Sequence, residues 1–423
     1  MARGAVVLAA AWCASLAVAG TPDATEQFTR LQAELRSAHA AGKSADYLEV
    51  SRRFSIFLNG SPDSLLQIMS AASLAGQTDA ALEAFRQFVH MGLSNEQTLS
   101  AQSFAALHRA PEFASLYVAM TENDSAISQA DLAFKPGPPG LLPEDIDYDA
   151  RTRRFYISTV LGKQVLALDL TGHATVFAES PDKWPMLALK VDSRRRLLWA
   201  TEVALNGFAS VPAADWGKST VLIYDLGSGK LLHRVEGPPN SALSDMTLDR
   251  GGDAFISDGD QGGIYRVSAA SQRIERVDGG DFISPQTPAV LPDGRHLLVP
   301  DYVRGLGALD LATKRVTWIP MEGAHALSGI DGLYLAGAAA IATQNGVSPE
   351  RVVRFELNNA RTRVISESTI ERRTTTLGDP THGVIVGRHF YYIANSGWDV
   401  VDEHGNLRPG KQWPEAIVMR AGL

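Results

Sequence analysis

The sequence predicts an α+β protein with two parts, an N-terminal α-helical domain and an all-β six-bladed β-propeller. Six stretches repeat one pattern of a short apolar strand, a tight polar or glycine turn and a second apolar strand. Before them, residues from about 24 to 130 carry apolar side chains at helical spacing, and a Pro/Gly-rich stretch at 135–140 follows. We therefore assign 1–19 to a signal peptide, 20–134 to the helical domain and 135–423 to the propeller.

The six repeats set the number of blades. They are PEDIDYDARTRRFYIST, MLALKVDSRRRLLWAT, LSDMTLDRGGDAFISD, TPAVLPDGRHLLVPD, IDGLYLAGAAAIATQN and THGVIVGRHFYYIANS. Alignment of their turns gives one recurring position, at Glu144, Leu187, Ser244, Thr287, Asp331 and His382. The spacings of 43, 57, 43, 44 and 51 residues fit the roughly 40 to 50 residues of a four-stranded blade. A third strand with alternating apolar residues follows in each unit, whereas the outermost strands have no pattern that places them.

The helical domain resembles a short stack of tetratricopeptide repeats. The segment SPDSLLQIMSAASLAGQTDAALEAFRQFVHMGLS begins with Ser61-Pro62-Asp63, which favours a helix start, and is broken at Gly76-Gln77. Its residues in the places of the repeat pattern are Leu74, Ala75, Gly76, Ala81 and Phe85. Such stacks bind peptides, protein domains or their own chain, so one prediction is a protein partner. The other is that the helices only pack on the propeller and cover one end of it.

The first residues of the chain predict export. Arg3 precedes an apolar run from 5 to 19 that ends in Ala17-Val18-Ala19, the order of a signal peptide that is cleaved before Gly20. The run is short for a membrane span, so we expect a periplasmic or secreted protein without a span after cleavage; a retained anchor helix is the alternative. Cys13, the single cysteine of the sequence, lies in the signal, and the mature chain then has no disulfide and no cysteine metal ligand.

The overall charge argues against one class of partner. The formal net charge is -8 and the sequence pI is about 5.7, whereas a nucleic-acid surface needs clustered cationic side chains. Basic groups at 151–154 and 193–196 lie in turns between predicted strands, where water solvates them. We therefore predict no nucleic-acid partner.

The recurring position of the blades carries the candidate chemistry. In a propeller the innermost strands line a central channel, so one residue per blade converges on its axis. The carboxylates of Glu144 and Asp331 would meet there with the hydroxyls of Ser244 and Thr287. Such oxygens suit a hard cation such as Ca²⁺, and the imidazole of His382 would also allow Zn²⁺ or Mn²⁺. His382 is in addition a candidate general base, or a channel histidine that only makes hydrogen bonds.

The propeller part resembles the senescence marker protein/gluconolactonase family over residues 141–423. The resemblance rests on Glu144-Asp145-Ile146 in the first blade, SDMTLDRGGDAFISD in the third and Ile330-Asp331-Gly332-Leu333 in the fifth. The segment PEDID is similar also to the corresponding segment of paraoxonases. The resemblance implies a central divalent cation that polarises a lactone or ester, and Glu144 and Asp331 match the acidic ligands of that family.

The remaining ligands of the family are one or two asparagines, and here the sequence departs from the pattern. Ser244 and Thr287 occupy the two positions, and hydroxyls are weaker cation ligands than amide carbonyls. Asp245 or Gln286 would substitute for them only with a shift in strand register.

From the sequence we expect an exported, divalent-metal-dependent hydrolase of a small-molecule lactone or ester. Its predicted metal ligands are Glu144, Asp331, Ser244 and Thr287, and its predicted catalytic residues are Asp331 and His382. The alternative is a non-catalytic propeller that binds a ligand or a protein and acts with the helical domain as an interaction module.

Overall fold

The computed structural model describes residues 23–99, 104, 107–321 and 325–423. The predicted signal peptide, with Cys13 and the cleavage site, lies outside the described residues. The helices predicted for the N-terminal part are present: α1 (Ala24–Ala40), α2 (Ser44–Phe57), α3 (Pro62–Leu74), α4 (Thr78–His90), α5 (Glu96–Leu99) and α6 (Phe113–Glu122). Within the described ranges, no helix is both long and apolar enough to cross a membrane.

Local sequence signals set the ends of these helices. The carboxylate of Asp23 accepts the backbone N–H of Glu26 at 2.8 Å and caps α1. Pro62 lies in the first turn of α3, where a missing N–H costs no helical hydrogen bond. The predicted break separates α3 from α4, and Gly76 there has a φ of 69°, which favours glycine. Helices α1 to α4 pack on one another in chain order, but their assignment to tetratricopeptide repeats remains a prediction.

The described residues form six antiparallel sheets, which confirms the predicted six-bladed propeller. From the inner to the outer strand, blade 1 contains β3 (Pro143–Asp149), β4 (Arg154–Thr159), β5 (Gln164–Leu168) and β6 (Ala174–Glu179). Blade 2 contains β7 (Met186–Asp192), β8 (Leu197–Val203), β9 (Ser219–Asp225) and β10 (Leu231–Glu236). Blade 3 contains β11 (Leu243–Leu248), β12 (Ala254–Asp258), β13 (Gly263–Val267) and β14 (Ile274–Arg276).

The other three blades follow the same order. Blade 4 contains β15 (Ala289–Val290), β16 (His296–Asp301), β17 (Gly305–Asp310) and β18 (Val316–Trp318). Blade 5 contains β19 (Ile330–Ala336), β20 (Ala339–Gln344), β21 (Arg351–Leu357) and β22 (Val364–Arg372). Blade 6 contains β23 (Gly383–Val386), β24 (His389–Asn395), β25 (Ile417–Gly422) and, as its outer strand, β2 (Ala130–Phe134).

A strand from before the first blade thus closes the last one. β2 pairs with β25, with Leu132 opposite Met419, and β1 (Ile127–Ser128) pairs with the outer strand of blade 5. Residues 127–134, which the sequence assigned to the helical domain, therefore belong to the propeller sheets. The Pro/Gly-rich stretch at 135–140 connects blade 6 to blade 1 and does not separate two domains.

Buried apolar side chains join each blade to the next. Trp199 of blade 2 and Ile256 of blade 3 share one cluster, and Phe255 of blade 3 and Leu309 of blade 4 share another. These side chains alternate along their strands because successive residues of a strand point to opposite faces of the sheet. The packing between blades therefore uses both faces of each sheet and leaves the edges of the inner strands to line the channel.

The helical domain packs on blades 4 and 5, at the face where the inner strands begin. Its apolar side chains form one continuous buried cluster with those of both blades. The guanidinium of Arg304, in the turn between β16 and β17, lies 4.5 Å from the ring centre of Phe57 and 4.4 Å from that of Trp318. Asn59 donates a hydrogen bond to the carbonyl of Arg304 at 2.9 Å. The helices therefore cover part of one end of the propeller, while a protein partner for them stays a prediction.

Candidate functional site

The recurring position of the six blades lies at one end of the channel. Glu144, Leu187, Ser244 and Asp331 are the second residues of their inner strands, and Thr287 and His382 lie just before theirs. Leu187 is the apolar member and is buried in a cluster of aromatic and aliphatic side chains. Three of the polar members, Ser244, Thr287 and His382, have their side chains directed at Asp245.

Asp245 is the centre of this polar cluster, although the repeat pattern favours its neighbour in the sequence. The register of β11 against β12 shifts between Leu243 and Asp245, which is the condition under which Asp245 would replace an amide ligand. Oδ1 of Asp245 accepts a hydrogen bond from Thr287 at 3.0 Å, and Oδ2 accepts one from Ser244 at 2.7 Å. The two hydroxyls predicted as metal ligands therefore orient a carboxylate.

Asp245, Asp331 and His382 form a candidate cation site. Each offers one ligand atom, and these atoms lie within 4.8 Å of one another. Nε2 of His382 contacts Oδ1 of Asp245 directly and lies 4.0 Å from Oδ1 of Asp331. All three residues are buried, with exposed fractions of 1%, 8% and 2%. Because blades 3, 5 and 6 each contribute one side chain, the site exists only in the closed ring.

Both ring nitrogens of His382 have partners. Nδ1 lies 2.9 Å from the backbone carbonyl of Glu144, which accepts a hydrogen bond from it, and Nε2 faces Asp245. A neutral imidazole with its proton on Nδ1 has a lone pair on Nε2 that can bind a cation. A doubly protonated ring is instead a cation between two carboxylates. A general base would need the same Nε2 lone pair of the neutral ring, so the role of His382 as general base stays a prediction.

The carboxylate of Glu144 lies beside the cluster and has a different partner. Its Oε2 accepts a hydrogen bond from Nε1 of Trp398 at 2.6 Å. Trp398 packs against Phe208, with 6.2 Å between ring centres, in an apolar wall built by loops of blades 2 and 6. The structure therefore joins Glu144 to the candidate cation site through its backbone carbonyl and pairs its carboxylate with Trp398, which differs from the predicted role as a ligand.

The electrostatics of the cluster follow from burial and mutual proximity. Burial raises the pKa of Glu144 to about 8 and that of Asp331 to about 6, since water no longer stabilises either charge. Burial also disfavours the charge on Asp245, but His382 outweighs this effect and the pKa of Asp245 is lowered. Burial would lower the pKa of His382, yet Asp245 and Asp331 hold that pKa well above its ordinary value. The two carboxylates therefore favour the positively charged form of His382.

Two further residues of the site were missed by the sequence reasoning. Nδ2 of Asn345 donates a hydrogen bond to Oδ2 of Asp331 at 2.8 Å, and the hydroxyl of Tyr302 donates one to Oδ1 of Asn345 at 3.0 Å. Both residues lie in turns between the second and third strands of their blades, at the same end of the channel as the cluster. Asn345 is the last residue of the fifth repeat and Tyr302 directly follows the fourth, but the aligned position that was used to choose site residues lies on the inner strands and singled out neither.

A cavity continues from the cluster along the channel. Its volume is about 260 Å³, and its wall runs from Thr287 to Asp147 and Lys190 over mainly apolar side chains. The amine of Lys190 contacts Asp145 at 2.6 Å, which balances one buried negative charge near the channel. The buried cluster therefore lies between this cavity and the loops and helices at the other face.

Comparisons with known proteins do not assign this chain to a family. No protein-family model and no curated protein matches the sequence. The PQQ-bound aldose sugar dehydrogenase of Streptomyces coelicolor is 11% identical with a TM-score of 0.48, over 70% of this chain and 98% of that one. A streptogramin B lyase structure is 13% identical with a TM-score of 0.48, over 70% and 97%. A luciferin-regenerating enzyme is 13% identical with a TM-score of 0.46, over 67% and 92%.

Likenesses of this size assign no activity to this chain, and the gluconolactonase resemblance stays a prediction. The strand pairing and the side-chain geometry themselves define the class. The protein is a six-bladed β-propeller with a buried cluster of two carboxylates and one imidazole at one end of its channel.

Proposed function

We propose that the protein is a divalent-metal-dependent hydrolase of a lactone or a related ester. The observation that carries the proposal is the convergence of Asp245, Asp331 and His382 from three blades, with ligand atoms within 4.8 Å of one another. Isolated buried carboxylates are costly, and binding a cation is one of the arrangements that offsets the cost. The channel end is also where one residue from every blade can reach a bound substrate.

The donor set fits a divalent cation. The Nδ1–H of His382 donates to the carbonyl of Glu144 at 2.9 Å, which is the outer contact that orients a metal-binding imidazole. Asp245 and Asp331 supply the anionic oxygens. An imidazole with two carboxylates suits Zn²⁺ or Mn²⁺, whereas Ca²⁺ takes six to eight oxygen ligands. We therefore favour Zn²⁺ or Mn²⁺ and keep Ca²⁺ as the alternative.

A cation in this position would polarise the carbonyl of a lactone or ester and activate water for attack. The residues of this chain have separate tasks. Ser244 and Thr287 hold the carboxylate of Asp245 through their hydroxyls. Trp398 holds the carboxylate of Glu144 beside the cluster through its indole N–H. The apolar wall beside Trp398 keeps bulk water out and offers a surface to the apolar part of a substrate.

The test begins with the wild-type protein purified without chelators. Elemental analysis should find about one divalent cation per chain, and added Zn²⁺ or Mn²⁺ should raise the melting temperature of the metal-free protein because a ligand of the folded state stabilises it. A screen of aldonolactones, homoserine lactones and aryl esters then identifies the substrate class. Absence of a bound cation together with unchanged melting temperatures for Zn²⁺, Mn²⁺ and Ca²⁺ would refute the proposal.

The second candidate is a non-catalytic propeller that binds a ligand or protein. It is favoured by the closed hydrogen bonding of the cluster, because His382 satisfies the carbonyl of Glu144 and the carboxylate of Asp245 without any cation. Such a cluster would tie blades 1, 3 and 6 together and do no chemistry. A wild type that is fully folded, binds none of Zn²⁺, Mn²⁺ and Ca²⁺, and is inert toward the whole substrate screen would support this candidate.

A further inference from the structure

We infer that Asn345 and Tyr302 position the carboxylate of Asp331 for cation binding, and that the helical domain holds this pair in place through Arg304. The inference rests on the proposed function because Asp331 is one of the proposed ligands. Asn345 and Tyr302 are positioning residues, since they act on the cation through Asp331.

The hydrogen bond from Asn345 gives the two carboxylate oxygens of Asp331 different roles. Its Nδ2 donates to Oδ2 of Asp331 at 2.8 Å, while Oδ1 of the same carboxylate lies 4.0 Å from Nε2 of His382. One oxygen is therefore fixed from outside the cluster, and the other is directed into it. A carboxylate without this anchor could rotate about its last side-chain bond and turn either oxygen toward the channel.

The hydroxyl of Tyr302 fixes the orientation of the side-chain amide of Asn345 relative to Asp331. A side-chain amide has a donor end and an acceptor end of almost equal size. The hydroxyl of Tyr302 lies 3.0 Å from Oδ1 of Asn345 and donates a hydrogen bond to it. This contact leaves the donor end for Asp331. Loss of the hydroxyl removes the preference and weakens the anchor.

The two turns that carry these residues fit closely against each other. A Cβ atom on Gly346, the residue after Asn345, would lie 2.5 Å from Cζ of Tyr302 and 2.6 Å from the Cα of Gly329. Such distances do not occur for real Cβ atoms, so only glycine allows the contact. The ring of Tyr302 is thereby held against the turn of Asn345 by shape as well as by its hydroxyl.

Arg304 connects the turn of Tyr302 to the helical domain. Its Nε donates to the carbonyl of Phe57 at 3.2 Å, and its own carbonyl accepts from Asn59 at 2.9 Å. In the same turn, Oδ1 of Asp301 accepts the backbone N–H groups of Val303 and Arg304 at 3.0 and 2.9 Å. The end of α2 and the residues after it thus hold the side chain and the carbonyl of Arg304, while Asp301 holds its backbone N–H. The helical domain thereby becomes a support for the cation site.

The experiment measures cation affinity of the full-length metal-free protein by titration calorimetry with Zn²⁺, Mn²⁺ and Ca²⁺. Asn345→Leu keeps the number and branching of the side-chain heavy atoms and removes both hydrogen bonds. Tyr302→Phe removes one hydroxyl, and Arg304→Ala removes the side-chain contacts to the helical domain. We expect affinity to fall roughly 10- to 100-fold in Asn345→Leu, as for other outer partners of metal ligands. Tyr302→Phe should cause a smaller loss in the same direction, and Arg304→Ala a loss of similar sign.

A double variant separates positioning from general damage. If Tyr302 acts only through Asn345, then Tyr302→Phe adds no further loss of affinity in the Asn345→Leu background. Tyr392→Phe is the matched control, because the Tyr392 hydroxyl of blade 6 also donates to a buried acceptor, Glu371 in the outer strand of blade 5. It should lower the melting temperature and leave the cation affinity unchanged.

The outcomes are distinguishable. Wild-type affinity in Asn345→Leu, or equal losses in Tyr302→Phe and Tyr392→Phe, overturns the inference and leaves the proposed function intact. A wild type that binds none of Zn²⁺, Mn²⁺ and Ca²⁺ overturns both. If only Arg304→Ala keeps full affinity, the role of the helical domain falls while the roles of the two positioning residues stand.

Discussion

At the scale of single residues, the two aspartates of the cluster differ in how many contacts their carboxylate oxygens make with other side chains. Asp245 has Ser244, Thr287 and His382 as partners, so both of its oxygens are already engaged. Asp331 has one anchored oxygen and one that faces His382 at 4.0 Å. Asp331 is therefore the carboxylate with room for a cation, and its charge is the one whose loss should affect binding most directly.

Asp331→Asn keeps the shape of the side chain and removes its charge. We expect the affinity for Zn²⁺ and Mn²⁺ to fall by more than the roughly 10- to 100-fold that loss of an outer partner costs, because an anionic ligand itself is lost. Hydrolysis of any substrate found by the screen should fall with it. Asp293→Asn, in an exposed turn of blade 4, is the control for calorimetry. Equal affinities of Asp331→Asn and wild type would contradict a ligand role for Asp331.

Asp149 gives a prediction for stability against pH. Burial alone would raise its pKa, but hydrogen bonds from Arg196, Thr152 and Ser193 lower the pKa to about 2, from 3.8 in the unfolded chain. A carboxyl group with a lowered folded pKa stabilises the protein above the unfolded value, and this contribution is lost as the pH falls toward 2. The shift corresponds to about 2 kcal/mol at neutral pH.

Urea unfolding of the wild type and of Asp149→Asn tests this contribution. The difference in unfolding free energy between the two proteins should be constant from about pH 7 to about pH 5 and should shrink between about pH 4 and about pH 2. A difference that stays the same down to the lowest pH would show that the Asp149 carboxylate adds no pH-dependent stability.

At the scale of secondary structure, the sequence predicts what repeats locally and misses what pairs over long distances. The inner strands and their turns recur in every unit, so their positions could be predicted. The outer strand of blade 6 could not, because β2 lies on the far side of the whole propeller sequence from its partner β25. Its residues were assigned to the helical domain on position alone.

The residues of the candidate site also fall into those that the sequence predicted and those that it did not. The recurring position led to Asp331 and His382, because every inner strand begins at an equivalent place. Asp245 lies one residue beyond the aligned position, at a register shift of β11 that depends on strand pairing and could not be predicted from the alignment. Asn345 and Tyr302 lie in turns that pack together only after blades 4 and 5 have formed.

Phe134 tests the role of β2 as a propeller strand. Its side chain is 5% exposed and its ring centre lies 5.0 Å from that of Phe155 in blade 1. We expect Phe134→Ala to lower the free energy of unfolding by about 3 to 5 kcal/mol, as for other buried aromatic side chains. Leu132→Ala is the matched control in the same strand, where the side chain is 53% exposed. Equal, small effects of both substitutions in urea unfolding would contradict the assignment of β2 to blade 6.

At the scale of the whole molecule, the helices and the propeller share one buried core. Arg351 of blade 5 is buried in this contact and donates to the carbonyl of Met91 at 3.1 Å and to Gln344 at 2.7 Å. It also pairs with Glu367 at 3.0 Å. Two parts that share a core and buried polar contacts of this kind should unfold as one cooperative unit.

Two spectroscopic probes can follow the two parts separately. From position 20 to 134 the sequence has no tryptophan, so tryptophan fluorescence reports on the propeller and helical circular dichroism mainly on the N-terminal domain. We expect coincident transitions in the wild type. Arg351→Ala should lower the unfolding free energy by about 3 to 5 kcal/mol, because it leaves buried partners unpaired. Arg295→Ala removes an exposed ion pair and should have little effect. Two separate transitions in the wild type would show that the domains are independent.

Export is a prediction that the described residues do not address. From Arg3 and Ala17-Val18-Ala19 we expect the mature protein to begin at Gly20. N-terminal sequencing of protein from the periplasm or the medium measures this directly. A soluble cytoplasmic form that begins at Met1 would contradict it.

The pairing of β2 with β25 sets an order of events during synthesis. β2 leaves the ribosome before any inner strand, whereas β25 (Ile417–Gly422) is among the last segments made. β2 must therefore wait for its partner through the translation of almost the entire propeller. An unpaired strand edge is a template for association with other chains. A nascent chain of this protein thus depends on protection of one short strand, and proteolysis within β25 would reopen a ring that had already closed.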